Sequence, residues 1–423
     1  MTAVFRFFEI VITRVAYPFL YMVLSLTSAW RGIRAWGKTP TCHWEAVYDG
    51  RPIAILALYQ KGRLRPDTVR LVQALKSFGC YVIAINTQRL DDPESLRLHC
   101  DCYIERVNFG RDFGSYKAGF LHLYKRGWHE ACPRLLMVND SVFCVSDRID
   151  TFISDLMASE IEVLGSTENY EISHHLGSFC IAVSNRILRH SRFRGFWSAY
   201  RNSDVRPRVI RGGEQKLSTT LKRCVSAPSE FRTLYGTNEY LTQLRQDDAF
   251  VDQAIRNARV SALTGWRRFS ARKIIDRLRE SYVLRATEFP EDVSLRLEDA
   301  ALADRIPARD VRGILEIAGS DLKPGERLDQ DFVRKVIVSE LTEVYMSGSQ
   351  IHQNASTLLI MGLPIVKLDG LYRGMFVIQD IQMITDQIPQ QDALELQRLL
   401  LERPYGGDAL RGWKRAAFMR GLI

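Results

Sequence analysis

No Cys-x-x-Cys pair occurs anywhere in this 423-residue chain. That absence excludes the usual zinc spacings, and eight scattered cysteines do not make a disulfide framework. The chain reads as reduced and cytosol-facing. Cys100 and Cys102, the closest pair, sit on what reads as a strand, where residues two apart share a face and bury together. Neither a Walker loop nor a GxGxxG fingerprint is present. No internal repeat or low-complexity linker divides the chain. Charge of one sign is not in large excess either: 58 Lys+Arg stand against 49 Asp+Glu, for a net +9. This mild bias follows no long basic stripe, which argues against a nucleic-acid partner. With 46% hydrophobic and 25% charged residues the composition is that of a globular protein. The length favours two units of unequal size.

Long apolar runs are also missing. The uncharged stretch 15–30 stops short of the ~20 residues a helix needs to cross a bilayer. Upstream of it Arg6, Glu9 and Thr13 form a polar stripe at i, i+3 and i+7. Arg31, Arg34 and Lys38 follow, with Trp30 and Trp36 among them. That pattern suits a helix lying in a membrane interface, cations at the headgroups and indoles at the boundary. It fits a signal peptide poorly, because an acid and Pro18 interrupt it. The last residues repeat the theme, with Arg411, Lys414, Arg415 and Arg420 beside Trp413, Phe418, Met419 and Ile423. A basic amphipathic tail can meet anionic lipid or an acidic groove of its own protein.

From Pro52 onward the pattern changes. Short continuous apolar runs at 53–59, 81–85, 102–107, 135–138, 162–164 and 179–183 read as strands buried on both faces. Helical segments separate them, one opening at Pro66 and closing at Gly79. The expectation is an α/β domain with a mainly parallel sheet. Chemistry in such sheets gathers beyond the carboxyl ends of the strands, and polar clusters stand there: 106–116, Asn139-Asp140-Ser141, Glu168 to Tyr170, His174-His175 and Gly212-Gly213-Glu214.

In the first cluster Gly110 and Gly114 permit close backbone approach to a ligand, the following helix start attracts anions, and Arg111 can pair with phosphate. Asn108 and Asp112 can bind ribose hydroxyls or a base edge. An ordinary tight turn with an Arg–Asp ion pair would explain the same residues. Asp140, just after four apolar residues, sits where ionisation is costly without a cation nearby. Mg²⁺ or Mn²⁺ held with water and a substrate diphosphate suits it; a turn cap is the alternative. His174 and His175 point oppositely on an extended segment, so they do not share one ion. One of them can bond a substrate hydroxyl or phosphate. Glu214 is either a first-turn dipole partner or a base presented on a flexible Gly-Gly approach. Residues 233–340 read as a helical accessory region, including the basic run 266–279.

The runs RVNFGRDFGSYKAG, LLMVNDSVF, HHLGSFCIAVS and FWSAYR, then the helix opened by GGE, resemble the rhamnan synthesis F family of bacterial polysaccharide glycosyltransferases. A looser likeness follows at Asn354 to Thr357 and Gly362 to Lys367. The resemblance, over roughly residues 50–230 and 340–380, implies a GT-A-like nucleotide-sugar fold, expected over 41–232; the residue pattern adds an amphipathic membrane-associated segment over 1–40 and a mainly helical region over 233–423 completing the acceptor side. It implies transfer of a sugar, often rhamnose, to a surface glycan or lipid-linked acceptor at the cytoplasmic face of the inner membrane. Tyr59, Asn108, Gly110, Arg111, Asp112 and Gly114 would line the nucleotide-sugar site. Asp140 would hold the metal, His174, His175 and Lys216 would contact acceptor or phosphate, and Glu214 would be the base with Glu168 in reserve. Such folds commonly show Asp-x-Asp at the metal position, where this chain has Asn139-Asp140-Ser141. Arg111 or Lys216 could neutralise the diphosphate instead. A non-catalytic glycan-assembly partner on the same fold is the competing expectation. Asp329-Gln330-Asp331, the only Asp-x-Asp, reads as a helix cap.

Overall fold

The computed structural model describes residues 12–259, 269–285, 310–319, 329–368, 376–402, 411–419 and 421–422. Part of the basic run 266–279, and Arg6, Glu9, Arg420 and Ile423 at the ends, lie outside them.

The expected apolar runs become β2 (Ile53–Leu58), β3 (Tyr81–Asn86), β4 (Cys102–Glu105), β5 (Arg134–Asn139), β7 (Val163–Gly165) and β10 (Cys180–Ser184). With β1 (Thr41–Glu45) and β11 (Phe231–Thr233) they form one eight-stranded sheet in the order β1-β4-β3-β2-β5-β10-β7-β11. Six strands run one way; β1 and β10 run the other. The sheet is therefore mixed, though mostly parallel. Two short pairs sit outside it: β6 (Val142–Cys144) with β12 (Ile365–Lys367), and β8 (Glu168–Asn169) with β9 (His175–Leu176).

Every residue of β2, β3 and β5 is buried, which is why these segments read as unbroken apolar runs and not as alternation. Alternate residues feed two cores. Ala54, Leu56 and Leu58 face α2 (Pro66–Ser77) and α4 (Ile149–Met157), whereas Ile53 and Ile55 face α3 (Arg111–Lys125) and α5 (Ser191–Ala199). Fully burying one such aliphatic side chain is worth about 1.5–3 kcal/mol, so these two layers fix where each strand ends.

Downstream come α6 (Lys216–Lys222), α7 (Thr237–Gln246), α8 (Gln330–Tyr345) and α9 (Gly412–Met419). The 233–340 stretch is helical where it is described, but residue 232 does not separate two cores. Tyr240 of α7 stacks on Tyr345 of α8 with ring centroids 4.2 Å apart, and one apolar cluster runs from Ala54 to Ile365. Asp329 caps α8 by accepting from Phe332 N, as its sequence position suggests.

At the N-terminus α1 (Tyr17–Ala35) lies against the body along one side only. Leu24 packs on Val205, Ala417 of α9 and Leu422, so the two amphipathic ends of the chain meet each other. Arg31 pairs with Asp204 at 2.7 Å and donates to the Asn108 carbonyl. The other side of α1 leaves Val15, Phe19, Met22, Leu26, Trp30 and Ile33 exposed. Among the described residues no helix is long and apolar enough to cross a membrane.

Candidate active site

Beyond the carboxyl ends of β5 and β7 a cavity of about 510 Å³ opens, lined by residues from distant parts of the chain. Arg111 and Asp112 come from the start of α3. Glu168 and His175 come from the β8–β9 pair, Glu214 from the helix leading into α6, and Lys367 from β12. Arg206, His352 and a further carboxylate, Glu171, also belong to the polar part of the wall.

Glu214 does not stand at a helix start. It lies in a π-helical turn over Ile210–Gln215 that joins two α-helical pieces, Arg206–Val209 and α6, into one helical stretch. The extra residue of such a turn re-aims side chains, and here it sends Glu214 into the cavity. Of the preceding glycines, Gly213 supplies clearance, since a Cβ there would sit 3.0 Å from the Phe113 ring, whereas Gly212 has open space around it. Burial opposes ionisation of Glu214. The nearby His175 imidazole, the Lys367 ammonium and Ser178 outweigh it and hold the carboxyl below its ordinary value. His175 is 2% exposed; its Nδ1 bonds the Ser173 carbonyl at 2.6 Å, and its Nε2 points at Glu214 from 3.7 Å.

Glu168 has a different environment. Its carboxylate accepts from Thr237 N at 2.7 Å, Thr237 Oγ1 at 2.8 Å, Tyr170 Oη at 3.0 Å and His174 Nε2 at 2.7 Å. Burial raises its pKa, but these donors more than offset that and bring it down to about 2. A carboxylate so fully occupied ties β8 to α7 and is poorly placed to take a substrate proton. His174 turns away with it, towards a second cavity of about 710 Å³ on the far side of Glu168. The two histidines do point oppositely.

Asp112 keeps its side of the site differently. Burial pushes its carboxyl up, against the pull of Lys367 and Arg111, and Asn139 Nδ2 donates to it at 3.0 Å. Lys367 Nζ reaches Ser141 Oγ at 2.5 Å and lies 5.1 Å above the Phe179 ring.

Asp140 does not line the cavity. Its Oδ2 accepts from Tyr59 N at 2.7 Å and Gln60 Nε2 at 2.5 Å, and its side chain is buried behind the wall. Both of these bonds go to one carboxylate oxygen, and among the described residues no further His, Cys, Asp or Glu ligand atoms gather round Asp140. Among the described residues no three His, Cys, Asp or Glu ligand atoms converge in the cavity. Tyr59 contributes its backbone N–H to Asp140, while its ring is 54% exposed outside the lining.

Gly110 and Gly114 serve packing. Gly110 has φ +93°, gives its N–H to Asp204 Oδ1 at 2.8 Å, and would bring a Cβ within 2.7 Å of Asn202. Gly114 leaves room for the Arg106 guanidinium, which a Cβ would meet at 2.7 Å. Arg106 in turn donates to the Phe109 and Arg111 carbonyls and to Ser115 Oγ, holding the loop closed. Arg111 itself adopts φ +52°, a left-handed conformation that costs a non-glycine residue ~1–3 kcal/mol. Its Nε bonds the Asp204 carbonyl at 3.0 Å. Asn108 offers only a carbonyl to Arg31, and Lys216 is exposed on the outer side of α6.

Of the expected residues, then, the cavity gathers Arg111, Asp112, Glu168, His175 and Glu214. Tyr59, Asn108, Gly110, Gly114, Asp140, His174 and Lys216 do not line it. Lys367 and Arg206 were not expected there. A lone lysine ending a three-residue strand carries no local signal, and only the β6–β12 pairing brings it across from the distant C-terminal region.

No protein-family model matches the chain. It is 30% identical over 172 residues to a Sinorhizobium fredii protein described as uncharacterized protein y4gN, covering 39% of this chain and 44% of that protein. It is 37% identical over 112 residues to virulence protein VirA of Vibrio anguillarum, covering 26% of this chain and 35% of that one. The chain thus spans less than half the length of each of these relatives.

Proposed function

We propose that this protein transfers a sugar from a nucleotide-sugar donor to a glycan or lipid-linked acceptor, with Glu214 as the base. The observation that carries the reading is the convergence of an ionised carboxylate, a buried histidine and a lysine on one cavity at the strand-end rim. Its volume suits a ligand of nucleotide-sugar size. The acceptor hydroxyl loses its proton to Glu214 as its oxygen bonds the anomeric carbon. The bond from that carbon to the diphosphate breaks, and the charge left on the diphosphate faces Lys367, Arg111 and Arg206. Asp112 stands on the cavity wall for donor hydroxyls, with Asn139 behind it donating to its carboxylate. His175, held by Ser173, fixes the Glu214 carboxylate in position. Asp140 does not line the cavity, and no step here is routed through a metal.

Attachment at a membrane surface belongs to the same reading. The exposed side of α1 is an unbroken apolar stripe. Arg14, Arg34 and Lys38 accompany it, and residues 12–38 contain no carboxylate. Trp413 of α9 is exposed on the adjoining helix. A surface of anionic headgroups complements that set.

The inward turn of Asp140 favours one second reading, a glycan-assembly partner that keeps the fold without turnover. One experiment separates the two. The full chain is incubated with a panel of nucleotide sugars, with and without chelator, and nucleotide release is followed for wild type and Glu214→Gln. Release that survives the chelator and is lost in the variant supports the enzyme. No release from any donor, with donor binding retained, supports the partner.

A further inference from the structure

On the opposite edge of the sheet from the cavity, three ligand-type side chains converge that local spacing could not reveal. The Cys42, Glu45 and Cys102 ligand atoms all lie within 4.8 Å of one another. His122 of α3 joins them, with Nε2 2.5 Å from Glu45 Oε2 and 4.0 Å from Cys102 Sγ. A β-bulge makes this possible. Residues three apart on a regular strand point to opposite faces, but the register of β1 on β4 shifts between Cys42 and Trp44. Cys42 therefore pairs with Ile104 and Glu45 with Cys102. Ile104 and Cys102 share a face, so the extra residue delivers both Cys42 and Glu45 to the side where α3 packs.

We propose that these four residues bind one zinc ion as a closed, structural site: two thiolates, one imidazole and one carboxylate. Tetrahedral bonds of ~2.3 Å to sulfur and ~2.0 Å to nitrogen or oxygen set ligand atoms about 3.3–3.8 Å apart; the Cys42, Glu45 and Cys102 atoms lie within 4.8 Å of one another, and His122 takes the fourth position by exchanging its bond to Glu45 for one to the ion. The charges also balance. Two thiolates and a carboxylate around a divalent ion leave one negative charge, and Arg126 Nη2 already stands 2.9 Å from Glu45 Oε1. With four protein ligands no position remains for substrate, which makes the ion a staple. It would fasten the outermost strand β1 to β4 and to α3, the helix whose first turn carries Arg111 and Asp112.

The test uses the full, tag-free chain. Metal content of the purified protein is measured, and the protein stripped of metal is titrated with Co²⁺. One equivalent of zinc, and a thiolate-to-cobalt charge-transfer band of tetrahedral type, are expected. Both should be lost in Cys42→Ala and His122→Ala but kept in Cys80→Ala, a buried cysteine elsewhere. Cys42 is exposed on an edge strand, so its variant should fold as the parent does by circular dichroism. Wild-type protein with free thiols that takes up neither zinc nor cobalt overturns the proposal. So does a Cys42–Cys102 disulfide found by mass spectrometry after alkylation.

Discussion

Replacing Glu168 by Gln separates Glu168 from Glu214 by what each does. Four donors hold Glu168 ionised and bring its pKa from 4.5 to about 2. At about 1.36 kcal/mol per unit, that depression corresponds to about 3 kcal/mol of folding stability at neutral pH. Gln can keep one oxygen for Thr237 and Tyr170, but its amide must face His174. Lys222 Nζ, a pure donor, lies 2.9 Å from His174 Nδ1, so the Nε2 proton points at residue 168 and two donors would then oppose each other. The sign follows from the depression. A carboxyl lowered in the folded state stabilises fully above its unfolded value and loses that contribution as pH falls through the folded one. The gap between wild type and Glu168→Gln in denaturant unfolding should therefore hold from pH 7 to about 5 and narrow progressively from about 4.5 towards 2. Transfer at neutral pH, in the fraction that remains folded, should change little. A gap below about 1 kcal/mol at pH 7, or one that does not narrow in acid, refutes the electrostatic account. A stable variant with lost transfer returns the base role to Glu168.

Glu214→Gln should keep donor affinity and lose on the order of 10²–10⁴-fold in transfer rate, read by single-turnover kinetics; weakened donor binding with intact turnover would count against it. Lys367→Met should raise the donor dissociation constant at least about tenfold, a loss of about 1.4 kcal/mol measurable by calorimetry, and should raise the pKa of Glu214 in a pH–rate profile. Gly114→Ala forces a Cβ against the Arg106 guanidinium and the Phe109 carbonyl and should cost about 1–3 kcal/mol in thermal unfolding. Leu26→Glu with Ile33→Glu should abolish co-sedimentation with vesicles containing anionic lipid and leave the fold unchanged by circular dichroism; persistent binding would move the attachment elsewhere.

The central strands were legible because double-sided burial writes itself as continuous apolar runs, as in Ile53–Leu58 and Tyr81–Asn86. The rule that sites gather at strand ends led to Arg111, Asp112, His175 and Glu214. Side-chain direction was not legible. Asp140 occupies the expected strand end, yet Tyr59 N–H and Gln60 capture it from behind, and sequence does not say which side offers the donors. Gly110 and Gly114 read as ligand-facing because a glycine serves a neighbouring side chain and a phosphate equally well. Short strands such as Val142–Cys144 and Ile365–Lys367 escape periodicity altogether. With them went Lys367, whose position depends on a pairing between residues more than two hundred apart. The bulge at Cys42 to Trp44 hid the thiol cluster for the same reason.

Asp204 is where the edge of the protein and its interior are fastened to one another. One of its carboxylate oxygens meets Arg31 of α1, the other takes the Gly110 N–H, and its carbonyl anchors the Arg111 guanidinium. Trimming the N-terminus would thus remove a counter-charge from the residue that pins the Gly110–Arg111 turn. Such a truncated preparation would report the ligand affinity of a loosened loop and not of the intact protein. Conversely, any surface that grips α1, such as the membrane proposed above, would tighten Asp204 on that turn and act as a ligand does, by stiffening a site it never touches.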